Sequence, residues 1–198
     1  MVILACIHEY RLNRRKDKIF TTEKVCIGWS GSFSTIIHFE FIIDALKKIK
    51  NKYADKVHFK VIGDGTFSNK QLSIQGIPWK KNSEIKDLSA IDIGLMPLPD
   101  DEGTKGKCGL KGLQYMALGI PTIMSQVGVN TKIIQDGENG YLANTIDDWV
   151  EKISSLVDSF ETRKSMGLKG RETVESFYSV EANKNSYLKA FNEVANKK

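Results

Sequence analysis

The chain has 198 residues, of which 41% are hydrophobic and 27% are charged, and this composition is ordinary for a globular protein with a sizeable core. Its net charge of +5 suits a phosphate ligand, a polyanionic partner or simply a basic surface, so charge does not choose among them. Three scattered cysteines exclude a disulfide framework, and no apolar run approaches the about 20 residues of a membrane helix, so we expect a cytoplasmic protein.

The first 23 residues differ in character from the rest of the chain. "VILACI" favours a short strand, and "EYRLNRRKDK" favours a charged, solvated loop. An apolar run before a cysteine is also typical of a lipoprotein cleavage site. However, Cys6 comes too early for one, and no positively charged segment precedes the apolar run.

Strands and helices alternate along the remaining sequence. The patterns predict strands at 24–32, 56–65, 71–79, 91–98 and 120–124, and helices at 35–53, 82–90 and 109–118. A short helix, a turn and a strand follow at 131–143, and 146–196 is predicted to be helical. This order favours an α/β fold, a Rossmann-like parallel sheet with helices on both faces. Ligands of such sheets bind at the carboxyl ends of the strands.

Glycines follow the first two predicted strands. "GWSGS" places Gly28 and Gly31 between a strand and a helix, and "GDG" places Gly63 at the end of the next strand. Glycine lets the backbone approach a phosphate, and the following helix start supplies N–H donors. The same glycines are equally expected in a tight strand-to-helix turn, so both readings stay open.

A loop rich in lysine and glycine precedes the helix at 109–118. Lys105, Lys107 and Lys111 flank Gly106 and Gly109. A diphosphate needs positive charge, convergent donors and a close backbone, and this loop offers all three. The alternative is a solubilising loop in front of an amphipathic helix.

The helix itself has a polar and an apolar face. Lys111 and Gln114 are three positions apart and therefore share one face, while Leu113 and Met116 can turn towards the core. One polar side chain could reach a phosphate while the other reaches sugar hydroxyls.

Two further residues of reactive type receive plainer interpretations. His38 lies in a helical pattern, and we interpret it as a packing or surface residue rather than a catalyst. Cys108 precedes the helix, where a helix start can lower a thiol pKa. Without a paired histidine we interpret it as a small filler.

Longer motifs carry a family resemblance. "GKCGLKGLQYMALGIPTIMS", followed by "VGVN" and "DGENGYL", resembles the donor-binding half of retaining GT-B glycosyltransferases, the large family numbered four and also called group 1. The similarity spans about 24–143, and "GWSGS" and "IDIGLMPLPDD" fit one branch of the family.

The resemblance implies a fold, a function and partners. Residues 24–198 would form the C-terminal GT-B domain, which binds a UDP-, GDP- or ADP-sugar as substrate, with no metal and no other cofactor. Residues 1–23 would be the crossover from an acceptor-binding domain that comes first in such enzymes. We expect no sugar transfer without that domain, and the full enzyme could associate peripherally with a membrane.

The resemblance also assigns roles to residues. The implied set comprises the diphosphate residues Gly31, Lys107, Gly109 and Lys111, the ribose residue Gln114, and the base-pocket residues Gly63 and Trp79. Trp79 could equally be a structural aromatic residue. No catalytic residue is assigned.

Three positions depart from the family pattern. The family carries two glutamates at this helix, and Gly106 and Gln114 occupy their places. Gln114 can still hydrogen-bond a ribose, whereas Gly106 has no side chain to contact the sugar. Trp29 stands where many relatives have a diphosphate-binding arginine, and the lysine that follows it in those relatives is absent before the helix, which leaves Lys111 and Lys107 as the phosphate partners.

Other functions fit the sequence less well. The main alternative is a Rossmann-like module that binds a nucleotide or phosphate without catalysis. A nucleic-acid partner is disfavoured because the basic residues are spread out and no nucleic-acid motif is present. A dehydrogenase is disfavoured because "GWSGS" is not the dinucleotide fingerprint.

Overall fold

The computed structural model describes residues 24–196, so the strand and loop predicted for 1–23 lie outside the described residues. Eight strands are present in this part: β1 Val25–Ser30, β2 Val57–Gly63, β3 Ser68–Asn69, β4 Ile74–Gln75, β5 Ile77–Pro78, β6 Ile93–Met96, β7 Thr122–Ser125 and β8 Tyr141–Ala143. The α-helices are α1 Ile36–Glu40, α2 Ile43–Tyr53, α3 Glu84–Ser89, α4 Glu102–Lys105, α5 Leu110–Ala117, α6 Asn130–Ile133, α7 Ile146–Asp158, α8 Phe160–Thr173 and α9 Val180–Ala195.

Six strands form one sheet in the order β5-β2-β1-β6-β7-β8, and every neighbouring pair is parallel. In the register between β1 and β2, Val25 lies opposite Val57. The strands β3 and β4 form a small separate antiparallel ribbon. The predicted α/β fold with a parallel sheet is therefore confirmed.

Alternate residues of β1 supply two hydrophobic cores, one on each face of the sheet. Ile27 and Trp29 pack with residues of α2 and α7, among them the fully buried Trp149. Cys26 points to the opposite face, whose core includes Leu113 and other residues of α3 and α5. Full burial of one large apolar side chain contributes about 1.5–3 kcal/mol, so both faces need their helices.

The single helix predicted at 35–53 is wrong in one respect. A short 3-10 turn at 33–35 leads into α1, and α1 ends at Glu40 before α2 begins at Ile43. The break allows Phe39 and Ile42 to be buried together while Phe41 stays half exposed. Aromatic and β-branched residues have weak helix propensity, so packing decides the local structure.

The strand predicted at 71–79 is also wrong as a continuous element. It is divided into β4 and β5 at Gly76, where an added Cβ would lie 2.0 Å from the carbonyl oxygen of Asp64. In addition, the loop before α5 contains the one-turn helix α4. Asp101 caps this helix by accepting a hydrogen bond from the backbone N–H of Thr104 at 2.8 Å.

Candidate functional site

A cavity of about 1020 Å³ lies at the carboxyl ends of four neighbouring strands, β5, β2, β1 and β6. Trp79 follows β5, Gly63 ends β2, Ser30 ends β1 and Met96 ends β6, and all four residues line the cavity. Three strand spacings of about 4.8 Å make this edge about 14 Å long. The cavity can therefore hold an elongated ligand laid across the strand ends.

All seven residues assigned to the site from the sequence line this one cavity. They are Gly31, Gly63, Trp79, Lys107, Gly109, Lys111 and Gln114. The fold thus brings together residues that are far apart in sequence, although their individual contacts to a ligand stay predictions. Trp79 is 49% exposed, which suits a side chain available to a ligand better than a core aromatic residue.

The loops after β1 and β2 pack directly on one another. The backbone N–H of Gly31 donates to the carbonyl oxygen of Ile62 at 2.9 Å. Gly63 has a φ of +133°, and an added Cβ there would lie 1.8 Å from the carbonyl oxygen of Gly31. Only glycine suits this position, so tight packing alone explains Gly63.

A buried tyrosine fixes the end of β1 beneath the cavity. The backbone N–H of Ser30 donates to the Tyr115 hydroxyl at 2.7 Å, and that hydroxyl lies 3.1 Å from the Ser30 Oγ, to which it donates. Burial of the Tyr115 side chain raises its pKa to about 12. Sequence reasoning missed this contact, because nothing in "YMALG" indicates which strand the tyrosine reaches.

The start of α5 faces the cavity without a side-chain cap. Gly109 is the N-cap residue with a φ of +72°, and an added Cβ would lie 2.3 Å from the Ile133 Cδ1. Glycine offers no side-chain acceptor, and in the first turn the backbone N–H of Gly112 donates to the Met96 Sδ at 3.3 Å. The positive end of the helix dipole lies at the cavity. Lys111, the second residue of α5, and the buried Gln114 line the cavity while Leu113 lies in the core, as their spacing predicts.

The three lysines of the loop have different environments. The Lys105 Nζ lies 2.9 Å from the Glu102 Oε1 and 3.5 Å from the Asp100 Oδ1. The hydrogen bond to Glu102, followed by the charge of Asp100, raises the pKa of Lys105. Lys107 in the loop and Lys111 on α5 both line the cavity. Two of the three lysines are therefore placed to meet a ligand.

Two further residues of reactive type lie at the cavity. His38 lines it from α1 and is half-buried, so its interpretation as a packing or surface residue stays a prediction. Cys108 is not a buried filler, because it is exposed within the same cavity. Both positions depend on how α1 and the lysine loop come together, which local sequence patterns do not report.

Trp29 occupies the position at which the resemblance led us to expect an arginine in relatives. Its side chain is buried, and its ring centroid lies 5.7 Å from that of Phe39. It lines the cavity as part of an apolar wall and brings no charge. The positive charges that line the cavity are those of Lys107 and Lys111 and, on the side of Trp79, that of Lys81.

Within residues 24–196, no three or more His, Cys, Asp or Glu side chains are grouped closely enough to hold a metal ion. None of the helices described has both the length and the apolar character needed to cross a membrane.

Comparison with known proteins gives consistent results. The sequence profile of the family described as "Glycosyl transferases group 1" matches residues 24–159. An uncharacterized glycosyltransferase of Methanocaldococcus jannaschii is 31% identical over 162 residues, which are 74% of this chain and 42% of that relative. The chain thus spans less than half the length of this relative.

Solved structures share the fold. The C-terminal domain of a glycosyl transferase group 1 family protein from Francisella tularensis is 24% identical with a TM-score of 0.63, covering 79% of this chain and 87% of that one. S. aureus TarM, crystallised with fondaparinux, alpha-GlcNAc-glycerol and UDP, is 24% identical with a TM-score of 0.72. That match covers 89% of this chain and 37% of TarM.

Proposed function

The chain belongs to the glycosyl transferases group 1 family, and from this premise we propose that it binds the nucleotide-sugar donor of a retaining sugar-transfer reaction. The observation that supports this most is the uncapped start of α5, which faces a cavity also lined by Lys107 and Lys111. Backbone N–H groups, a helix dipole and two cations together favour a diphosphate.

The order of residues along the strand ends supports one direction of binding. Gly63 and Trp79 lie on the side of β2 and β5, where we place the base. Gln114 would hydrogen-bond the ribose. Lys107 and Lys111, in the loop and helix that follow β6, would hold the diphosphate. Because lysines and the helix start offset the negative charge, this proposal needs no metal ion.

We further propose a UDP-sugar as the first donor to test, with GDP- and ADP-sugars as alternatives. The support is the UDP present in the structure of TarM. The acceptor would bind to a separate acceptor domain. In line with such a partner, α9 leaves Leu188, Phe191 and Val194 exposed as apolar side chains.

A substitution of Lys111 tests the phosphate site. A charge-assisted hydrogen bond contributes about 1.5–3 kcal/mol, so Lys111→Ala should weaken UDP binding about 10- to 100-fold. Uridine, which lacks phosphates, should bind the variant and the original protein almost equally. Gln114→Ala should weaken both ligands, because the ribose is common to them. Titration calorimetry measures these affinities, and thermal melting checks folding.

Lys105→Ala is the matched control, because Lys105 lies in the same loop but contacts Glu102 and Asp100. It should leave UDP binding unchanged. If Lys111→Ala stays folded and binds UDP as well as the original protein does, the phosphate site lies elsewhere.

A second candidate is a module that binds a nucleotide without catalysis. It is favoured by Gly106, which lines the cavity without a side chain to contact the sugar. The same titrations separate the two candidates. A donor site should bind UDP-glucose with a contribution from the sugar, whereas a nucleotide module should bind UDP-glucose no more tightly than UDP.

A further inference from the structure

His38 faces the lysine loop across the cavity. It comes from α1, which follows the end of β1, and both His38 and Lys107 line the cavity. The charges that influence His38 most are those of Lys107 in the loop and Asp101 at the start of α4. The other charged residues lining the cavity are Lys111 on α5, together with Lys81 and Glu84 on the side of Trp79.

The surroundings of His38 favour its neutral form when no ligand is bound. Burial disfavours the imidazolium and the positive charge of Lys107 repels it, so the pKa of His38 is lowered, an effect that Asp101 opposes. The Asp101 carboxylate accepts the backbone N–H of Thr104 at 2.8 Å, and this contact commits it to capping α4. An anion entering the cavity would reverse the balance.

We propose that His38 binds the diphosphate end of the donor and takes up one proton from the solvent as the diphosphate arrives. This inference rests on the proposed function. The diphosphate of a nucleotide sugar carries two negative charges, and it would lie between Lys107 and Lys111. An imidazolium beside the diphosphate gains a charge-assisted hydrogen bond, and the negative charge of the diphosphate offsets the repulsion from the lysine. The proton comes from water or buffer, and no bond in the ligand is broken.

The direction of the pH dependence follows from this scheme. The bound state holds the proton more tightly than the free state, so binding strengthens as the pH falls through the interval between the two pKa values of His38. Above that interval His38 is neutral in both states, and below it His38 is charged in both. A rise of about one pKa unit on binding gives about tenfold tighter binding at the acidic end.

The choice of ligand matters for the test. Free UDP ends in a phosphate that itself titrates near pH 6, which would obscure the histidine. The diphosphate of UDP-glucose is esterified at both ends and has no such titration.

The experiment uses titration calorimetry on the 198-residue chain with UDP-glucose, GDP-mannose and ADP-glucose, and continues with the tightest ligand. Repeating the titration in two buffers of different ionisation enthalpy measures the protons taken up. We expect uptake of a substantial fraction of one proton, and about 3- to 10-fold tighter binding at the acidic end. His38→Gln should abolish both effects, because glutamine keeps a hydrogen-bond donor but does not titrate.

His58→Gln is the matched control, since His58 lies on β2 and does not line the cavity. It should leave proton uptake unchanged, and thermal melting should show both variants folded. If the ligand binds without proton uptake, or if His38→Gln keeps the uptake, the inference about His38 is wrong while the donor site stands. If none of the three nucleotide sugars binds, the proposed function fails and the inference fails with it.

Discussion

Removing the hydroxyl of Tyr115 should destabilise the protein out of proportion to the loss of one oxygen atom. In Tyr115→Phe the ring still fills its space in the core, but the backbone N–H of Ser30 loses the acceptor that lies 2.7 Å away. The Ser30 Oγ loses its contact at 3.1 Å as well. Both Ser30 and Tyr115 are buried, so water cannot easily replace the lost partner.

The size of the effect follows from the burial of the donor. A buried N–H without an acceptor costs about 1–3 kcal/mol, and the second contact adds about 1 kcal/mol. We therefore expect a loss of about 2–4 kcal/mol in the free energy of unfolding. For a domain of this size the melting temperature should fall by about 4–16 °C.

Urea unfolding and thermal melting measure this loss, with Tyr141→Phe as the control. The Tyr141 hydroxyl only accepts a hydrogen bond from Ser155 at 3.3 Å in a partly buried position, so its removal should cost about 0.5–1 kcal/mol. Equal stability of Tyr115→Phe and the original protein would refute the reasoning from the Ser30 contact.

The pH dependence gives an independent check on the same residue. Because burial raises the pKa of Tyr115 to about 12 in the folded state, above its ordinary value of 10.0, its contribution to stability is complete below about pH 10. That contribution is lost as the pH rises towards about 12. Phenylalanine does not titrate, so Tyr115→Phe has no such contribution to lose. The difference in the free energy of unfolding between the original protein and Tyr115→Phe should therefore narrow between about pH 10 and pH 12.

Two further predictions concern the backbone and the ligand charge. Gly63→Ala should prevent folding or cost at least about 3 kcal/mol, because its φ of +133° and the nearby Gly31 carbonyl oxygen exclude a Cβ. In contrast, Gly137→Ala, with a φ of +81° and no neighbour within 4 Å, should cost only about 1–2 kcal/mol in the same urea titration. EDTA should leave the affinity for UDP-glucose unchanged, and a clear loss in calorimetry would instead indicate that a metal ion takes part.

The arrangement of the sheet could be predicted because its signals are local and repeated. Apolar segments such as "IDIGLMPL" are buried on both faces, which is typical of parallel strands covered by helices. The position of the site follows from the same pattern, because the carboxyl ends of parallel strands meet at one edge. Gly31 and Gly63 follow predicted strands, and the family resemblance adds Gln114 to the same site; all three line one cavity.

The remaining features depend on packing between elements that are distant in sequence. The break between α1 and α2 accompanies the joint burial of Phe39 and Ile42. The apolar pattern of 35–53 fits one continuous helix equally well, so the sequence does not indicate the break. His38 lies on α1 before that break and lines the cavity. Tyr115 reaches across 85 positions to Ser30, and a single sequence holds no signal for such a pair.

The two ends of the cavity differ in how much they depend on side-chain identity. The proposed phosphate binding would use backbone N–H groups and charge, which the start of α5 together with Lys107 and Lys111 can supply. Sugar binding uses directed contacts from particular side chains, and Gly106 has none to offer. Trp29 and His38 also line the cavity, Trp29 with an apolar ring and His38 with a titratable imidazole. Selection among donors should therefore depend mainly on the base side of the cavity, whereas the strength of binding should depend on the lysines and the protonation of His38.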